Sequence, residues 1–109
     1  MKAVTLRGLG LALATATLIQ LGGASAHAEE VQVTIDNFTF TPAELKVKVG
    51  DTVTWTNHDD IPHTVVSAGK FRSKTMDTDD TFSFTFASAG DYKFFCSLHP
   101  HMTGMIKVE

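Results

Sequence analysis

The chain has 109 residues, 43% hydrophobic and 19% charged, with 9 Lys+Arg against 12 Asp+Glu and a single Cys. That is material for one globular domain, and a formal charge of -3 with a pI near 5.9 offers no basic face for phosphate, which argues against nucleic acid as a partner. A lone Cys excludes an internal disulfide, a Cys-rich zinc site and a C-x-x-C-H haem attachment.

The amino-terminal stretch reads as a targeting segment. Lys2 and Arg7 make a positive start, Leu9 to Leu21 is uncharged and mostly Leu, Ala and Thr, and Ala26-His27-Ala28 supplies small residues around a cut before Glu29. Ala24-Ser25-Ala26 offers a second cut, which would leave His27 at the mature end. The charge-free run is about long enough to span a bilayer, but Gly10, Gln20, Gly22 and Gly23 dilute it. The expectation is a cleaved secretory signal peptide over residues 1–28, export to a bacterial periplasm, and one mature domain over 29–109. Without a pair of adjacent arginines, the general secretory route is expected. Losing Lys2 and Arg7 from the 9 basic residues leaves 7 against 12 acids, a net -5 for the mature part. Removing 28 residues from 109 leaves 81, close to the size where small domains commonly add a disulfide or a metal. With one Cys, a metal is the available staple. A thiol in an oxidising compartment is expected to be buried or occupied.

From Val31 the hydrophobic period is two. Val31, Val33 and Ile35 alternate with Gln32 and Thr34, and Leu45, Val47 and Val49 alternate with Lys46 and Lys48, as half-buried strands do. Pro42 separates these runs, and Gly50-Asp51 signals a turn before Val53 and Trp55. Residues 57–80 are the least patterned, with room for short strands around Val65 and Phe71. Their charges at Lys70, Arg72, Lys74, Asp77, Asp79 and Asp80 read as a solvated face. Phe82, Phe84 and Phe86 alternate with Ser83 and Thr85, Ala89-Gly90-Asp91 turns into a strand from Tyr92 to Cys96, and Met105 to Val108 closes the chain. No window carries a helical stripe. The fold class predicted is all-β, a Greek-key sandwich or barrel of about seven to eight strands.

The residues able to do chemistry are bunched in Phe95-Cys96-Ser97-Leu98-His99-Pro100-His101-Met102. With Cys96 at a strand end, His99 in the following loop and Met102 just before the closing strand, one thiolate, one imidazole and one thioether can converge. A fourth donor must come from elsewhere. His63, in Pro62-His63-Thr64-Val65, is the best placed, because a sandwich brings the loop after Trp55 to the same end. Thiolate and thioether are soft and imidazole intermediate, a set that suits copper cycling between Cu(I) and Cu(II). Zinc prefers a closed shell without thioether, and calcium or magnesium wants oxygen.

Over residues 30–109 the chain resembles the cupredoxins, the blue copper proteins, and within them the amicyanin group. The resemblance is carried by Thr39-Phe40-Thr41-Pro42, by Val49-Gly50-Asp51-Thr52-Val53-Thr54-Trp55-Thr56-Asn57, by Pro62-His63-Thr64-Val65, by Ala89-Gly90-Asp91-Tyr92 and by the Cys96 to Met102 loop ending at Gly104. It implies that His63, Cys96, His99 and Met102 are the ligands of one copper ion. Plastocyanin-like loops place four residues between the His and the Met, a register that lands here on Gly104, whereas two residues give Met102; Met105 is then a strand residue. The resemblance further implies Asn57 as a support outside the ligand set, its side chain tied to Ser97; composition alone makes Asn57 an ordinary turn residue. His58 is read as a solvated loop residue.

The function implied is one-electron transfer between redox partners rather than catalysis. Cys96–His99 nucleophilic catalysis would need an orienting group and an oxyanion site, and no motif supplies either. Copper buffering or delivery, the alternative, would want a Met- or His-rich exposed site, yet only Met76, Met102 and Met105 follow the signal. By the same resemblance a monomer without stable membrane association is expected. Its partners, a c-type cytochrome, an amine dehydrogenase or an oxidase, are expected to dock near His99, Pro100 and His101. Amicyanin-like loops carry Phe where this chain has His101, so a titratable group stands in that docking patch.

Overall fold

The computed structural model describes residues 27–109, and among them every regular element is a strand. In chain order these are β1 (Glu30–Asp36), β2 (Thr39–Thr41), β3 (Glu44–Val47), β4 (Thr52–Asn57), β5 (Val66–Ser67), β6 (Phe71–Arg72), β7 (Thr81–Thr85), β8 (Gly90–Phe95) and β9 (Thr103–Val108). The expected signal peptide falls almost wholly outside the described residues.

Two mixed sheets form the all-β sandwich, ordered β3-β9-β8-β5-β6 and β2-β1-β4-β7. β1 runs parallel to β4 and β3 parallel to β9, while β1–β2, β4–β7 and β8–β9 are antiparallel. The alternation seen in the sequence is the alternation of faces: Val33, Ile35, Val53 and Trp55 point inward from one sheet, and Tyr92, Phe94, Ile106 and Val108 from the other. Aromatic rings fill the space between, with Trp55 against Phe94 at 5.5 Å and Phe40 against Phe94 at 4.9 Å. The two uncertain strands exist as the two-residue pair β5 and β6, with Val66 also opposite Phe95. The charges of residues 70–80 are exposed as expected.

One strand is shorter than its pattern. β3 ends at Val47, and Val49 lies exposed rather than half-buried. The Asp51 amide donates to the Lys48 carbonyl at 3.0 Å and Gly50 takes φ 99, so the chain turns before Val49 can reach the core.

The sandwich positions the site through its ends. β4 ends at Asn57 and leads into the loop carrying His63, while β8 ends at Phe95 and β9 begins at Thr103, leaving Cys96 to Met102 as their connection. Gly104 follows that connection, and a side chain there would collide with the Phe94 ring and the Ala43 carbonyl. Glycine therefore lets β9 enter the sheet immediately after a short loop.

Candidate metal centre

The Cys96 loop is wound by its own backbone. The Cys96 amide donates to Met102 O at 3.1 Å, His99 N to Cys96 O at 3.2 Å, and Met102 N to His99 O at 2.9 Å. These bonds close a tight turn from Cys96 to Met102, and His99 and Met102 line the same groove. Met102 and Cys96 are buried, whereas the His99 ring is half-buried among exposed Leu98, Pro100 and His101.

His63 arrives from the other loop and is fully buried. It makes an isolated bridge with Met76, the two exchanging amide–carbonyl bonds at 3.1 and 2.8 Å. Its Nδ1 lies 3.8 Å from Cys96 Sγ, and His99 Nδ1 lies 3.7 Å from the same sulfur. The donor atoms of His63, Cys96 and His99 all sit within 4.8 Å of one another. A three-coordinate ion with metal–nitrogen bonds of about 2.0 Å, a metal–sulfur bond of about 2.3 Å and trigonal angles separates N from S by roughly 3.7 Å. The spacing therefore fits one transition-metal ion, and soft sulfur with two imidazoles fits copper.

Electrostatics favour the ligating forms. Burial works to raise the Cys96 thiol, but the Thr64 amide donating to Sγ at 3.3 Å, the neighbouring His63 and His99 rings and the Thr64 hydroxyl outweigh it. They bring the pKa from 9.0 to about 6, so the sulfur is mostly thiolate at neutral pH. Asp59 Oδ2 stands 2.8 Å from His63 Nε2. Burial pushes the Asp59 carboxyl up, yet the Phe38 and Asn37 amides and His63 hold it below the ordinary carboxylate value. An ionised carboxylate can only accept, so His63 Nε2 donates to Asp59 and the ring is held with Nδ1 toward Cys96 Sγ, where a metal ion would replace the proton that Nδ1 shares with the sulfur.

Asn57 differs from the role expected of it. Its Nδ2 donates to the carbonyls of Ile61 and Met76, both at 3.0 Å, and its Oδ1 accepts the Asp59 amide at 2.9 Å. It thus ties the His63 loop together from within and does not reach Ser97. Thr64 makes that link: its Oγ1 accepts the Ser97 amide at 2.8 Å and shares a hydrogen bond with Ser97 Oγ, also 2.8 Å. The reason is chain direction, since the residue after His63 already lies against the strand end carrying Cys96. Sequence reasoning passed over Thr64, Asp59 and Phe38. The adjacency of Thr64 to His63 was a usable signal, as was the apolar Phe38 in an otherwise polar turn. His58 is exposed, as expected, 3.8 Å from Asp79.

Residues 9–108 match the Cupredoxin-like domain, and the chain belongs to that family. Fold and donor set together define a blue copper electron carrier with one copper ion as cofactor, and not an enzyme. Among particular proteins, it is 35% identical over 95 residues to the amicyanin of Paracoccus versutus, covering 82% of this chain and 72% of that one. The amicyanin of Paracoccus denitrificans is 36% identical over 85 residues, 72% of this chain and 65% of its own length. A solved structure of an oxidized amicyanin mutant superposes with a TM-score of 0.70 at 35% identity, covering 72% of this chain and 81% of that one.

Proposed function

We propose that the mature protein, residues 29–109 released from a signal peptide over 1–28, is a periplasmic, amicyanin-like one-electron carrier. Its copper ligands are His63, Cys96, His99 and Met102. The observation that carries this reading is the convergence of two imidazole nitrogens on one buried sulfur, with one of the rings reaching the surface.

Copper, when bound, supplies a reversible one-electron couple between Cu(I) and Cu(II). The chain's own residues do the rest. Cys96 is presented as thiolate, and Asp59 fixes the His63 ring through its Nε2 proton. The Thr64–Ser97 bonds lock the two ligand loops to each other, so the donors hold their places. Burial of His63, Cys96 and Met102 keeps water and substrates from the ligands, which suits a carrier and opposes the alternative of copper buffering or delivery.

His99 is the exit. Its half-buried ring lies in a shallow apolar groove with Phe38, Leu98, Pro100, His101 and Met102. A redox protein, whether a c-type cytochrome, an amine dehydrogenase or an oxidase, would dock there around His99, Pro100 and His101. Transient redox contacts are small, and a patch of this extent suits one. The mature domain loaded with Cu(II) is expected to show an intense blue absorption band and narrow copper hyperfine splitting by EPR, and Cys96→Ser to lose both. A colourless loaded protein, or a spectrum untouched by Cys96→Ser, would overturn the reading.

A further inference from the structure

The tip of the β1–β2 hairpin carries an unusual combination. Asn37 and Phe38 both take the left-handed conformation, φ 52 and 57, which a two-residue hairpin turn demands and which glycine meets best. Phenylalanine there is disfavoured twice, because its backbone is strained and the residue remains 43% exposed. Strain of this kind persists where surrounding structure enforces it and is concentrated at functional sites.

Beyond the hairpin's own bonds, the contacts of its tip lead to the metal centre. The Phe38 ring stands edge-on to the His63 ring at 5.3 Å and to the His99 ring at 5.0 Å, while the two imidazoles themselves lie 5.0 Å apart. The Asn37 amide donates to Asp59 Oδ1, 2.6 Å away, and the Phe38 amide to Asp59 Oδ2, 2.9 Å away; Oδ2 also faces His63 Nε2. A single carboxylate therefore ties the hairpin tip to a ligand ring, and the side chain projecting from that tip touches both rings.

We propose that Phe38 is a positioning residue of the copper centre, a clamp carried by the hairpin and anchored through Asp59 that holds the His63 and His99 imidazoles and keeps water off them. The inference rests on the assignment of those two histidines as ligands. The clamp acts on His99 above all, since among the described residues that ring has no partner comparable to the Asp59 carboxylate, and it borders solvent. Phe38 is a local constraint on ligand geometry, separate from the stability of the sandwich.

Phe38→Gly separates the two roles, because glycine suits the turn and removes only the ring. Copper-loaded wild type, Phe38→Gly and Phe38→Leu are compared by three readouts: Cu(I) loss to an excess of bathocuproine, EPR of the Cu(II) form, and the thermal midpoint after copper removal. Expected for Phe38→Gly is Cu(I) loss about tenfold faster, broadened EPR features, and a copper-free midpoint that stays within about 3 °C of wild type or rises. Its reduction potential falls, because water admitted to the rings favours the more highly charged cupric form. Phe38→Leu, which restores apolar bulk, lies between the two. Unchanged copper loss and EPR in Phe38→Gly overturn the proposal, and so does a copper-free midpoint that drops well below wild type. A wild-type protein that takes up no copper fails the ligand assignment itself, which is visible before any variant is compared.

Discussion

Thr64 shows how much one side chain can carry between two loops. Its backbone amide donates to Cys96 Sγ, while its hydroxyl oxygen accepts the Ser97 amide, so the residue after one candidate ligand holds the residue after another. Thr64→Val keeps the shape and the amide but deletes the acceptor. A fully buried amide left without a partner costs about 1–3 kcal/mol, and the Ser97 amide is part-buried, so a loss of about 1 kcal/mol applies. The expected outcome is a loss of that size in denaturant unfolding of the copper-free protein, with the blue band retained because the amide–sulfur bond is backbone. Loss of colour in Thr64→Val would contradict this division. Asn57 makes the complementary point: the sequence marks it as a residue at the edge of the site, but a side-chain amide can satisfy several carbonyls, and only the fold determines that Ile61 and Met76 are within its reach.

At the scale of elements, β1, β3 and β4 are joined at the end away from the metal by Asp51. Its Oδ1 accepts the Glu29 amide and its Oδ2 the Lys48 amide, both at 2.9 Å, as β4 begins. The Lys48 bond first and the Glu29 bond next outweigh burial and hold its carboxyl below the ordinary 3.8. The folded protein therefore binds fewer protons here than the unfolded chain. The stabilisation from Asp51 is present above pH 3.8 and lost as pH falls through the lowered folded value. Thermal melts of the copper-free protein should show wild type losing stability in that acid range. Asp51→Asn, less stable at neutral pH, should lose less there, so that the two curves converge; curves that stay parallel would contradict it. Gly50-Asp51 was legible as a turn, but the exposure of Val49 was not. Alternation in Leu45-Lys46-Val47-Lys48-Val49 is a local signal, whereas the place where a strand leaves its sheet depends on its neighbour, here β9, which pairs with β3 only as far as Val47.

For the whole molecule, a core of this size without a disulfide is one that an ion bound between the two loops would stabilise appreciably. A ligand present at a hundred times its dissociation constant adds about 2.7 kcal/mol, which for a domain of this length is roughly 10–20 °C in thermal midpoint. Stripping copper with cyanide should lower the midpoint by at least about 10 °C, and re-adding Cu(II) should restore it. Equal midpoints with and without metal would show that the sandwich stands alone.

The all-β class, the inward residues of β1 and β4, and the clustering of Cys96, His99 and Met102 follow from the sequence by itself, because period-two alternation and short-range spacing are local properties. Tertiary structure alone decided that Thr64 rather than Asn57 meets Ser97, that Asp59 holds both His63 and a hairpin tip 21 and 22 residues earlier, and that Phe38 lies against both imidazoles. Each of these joins segments far apart in the chain, and their distance in space is set by how two sheets pack, a quantity that no window of residues contains.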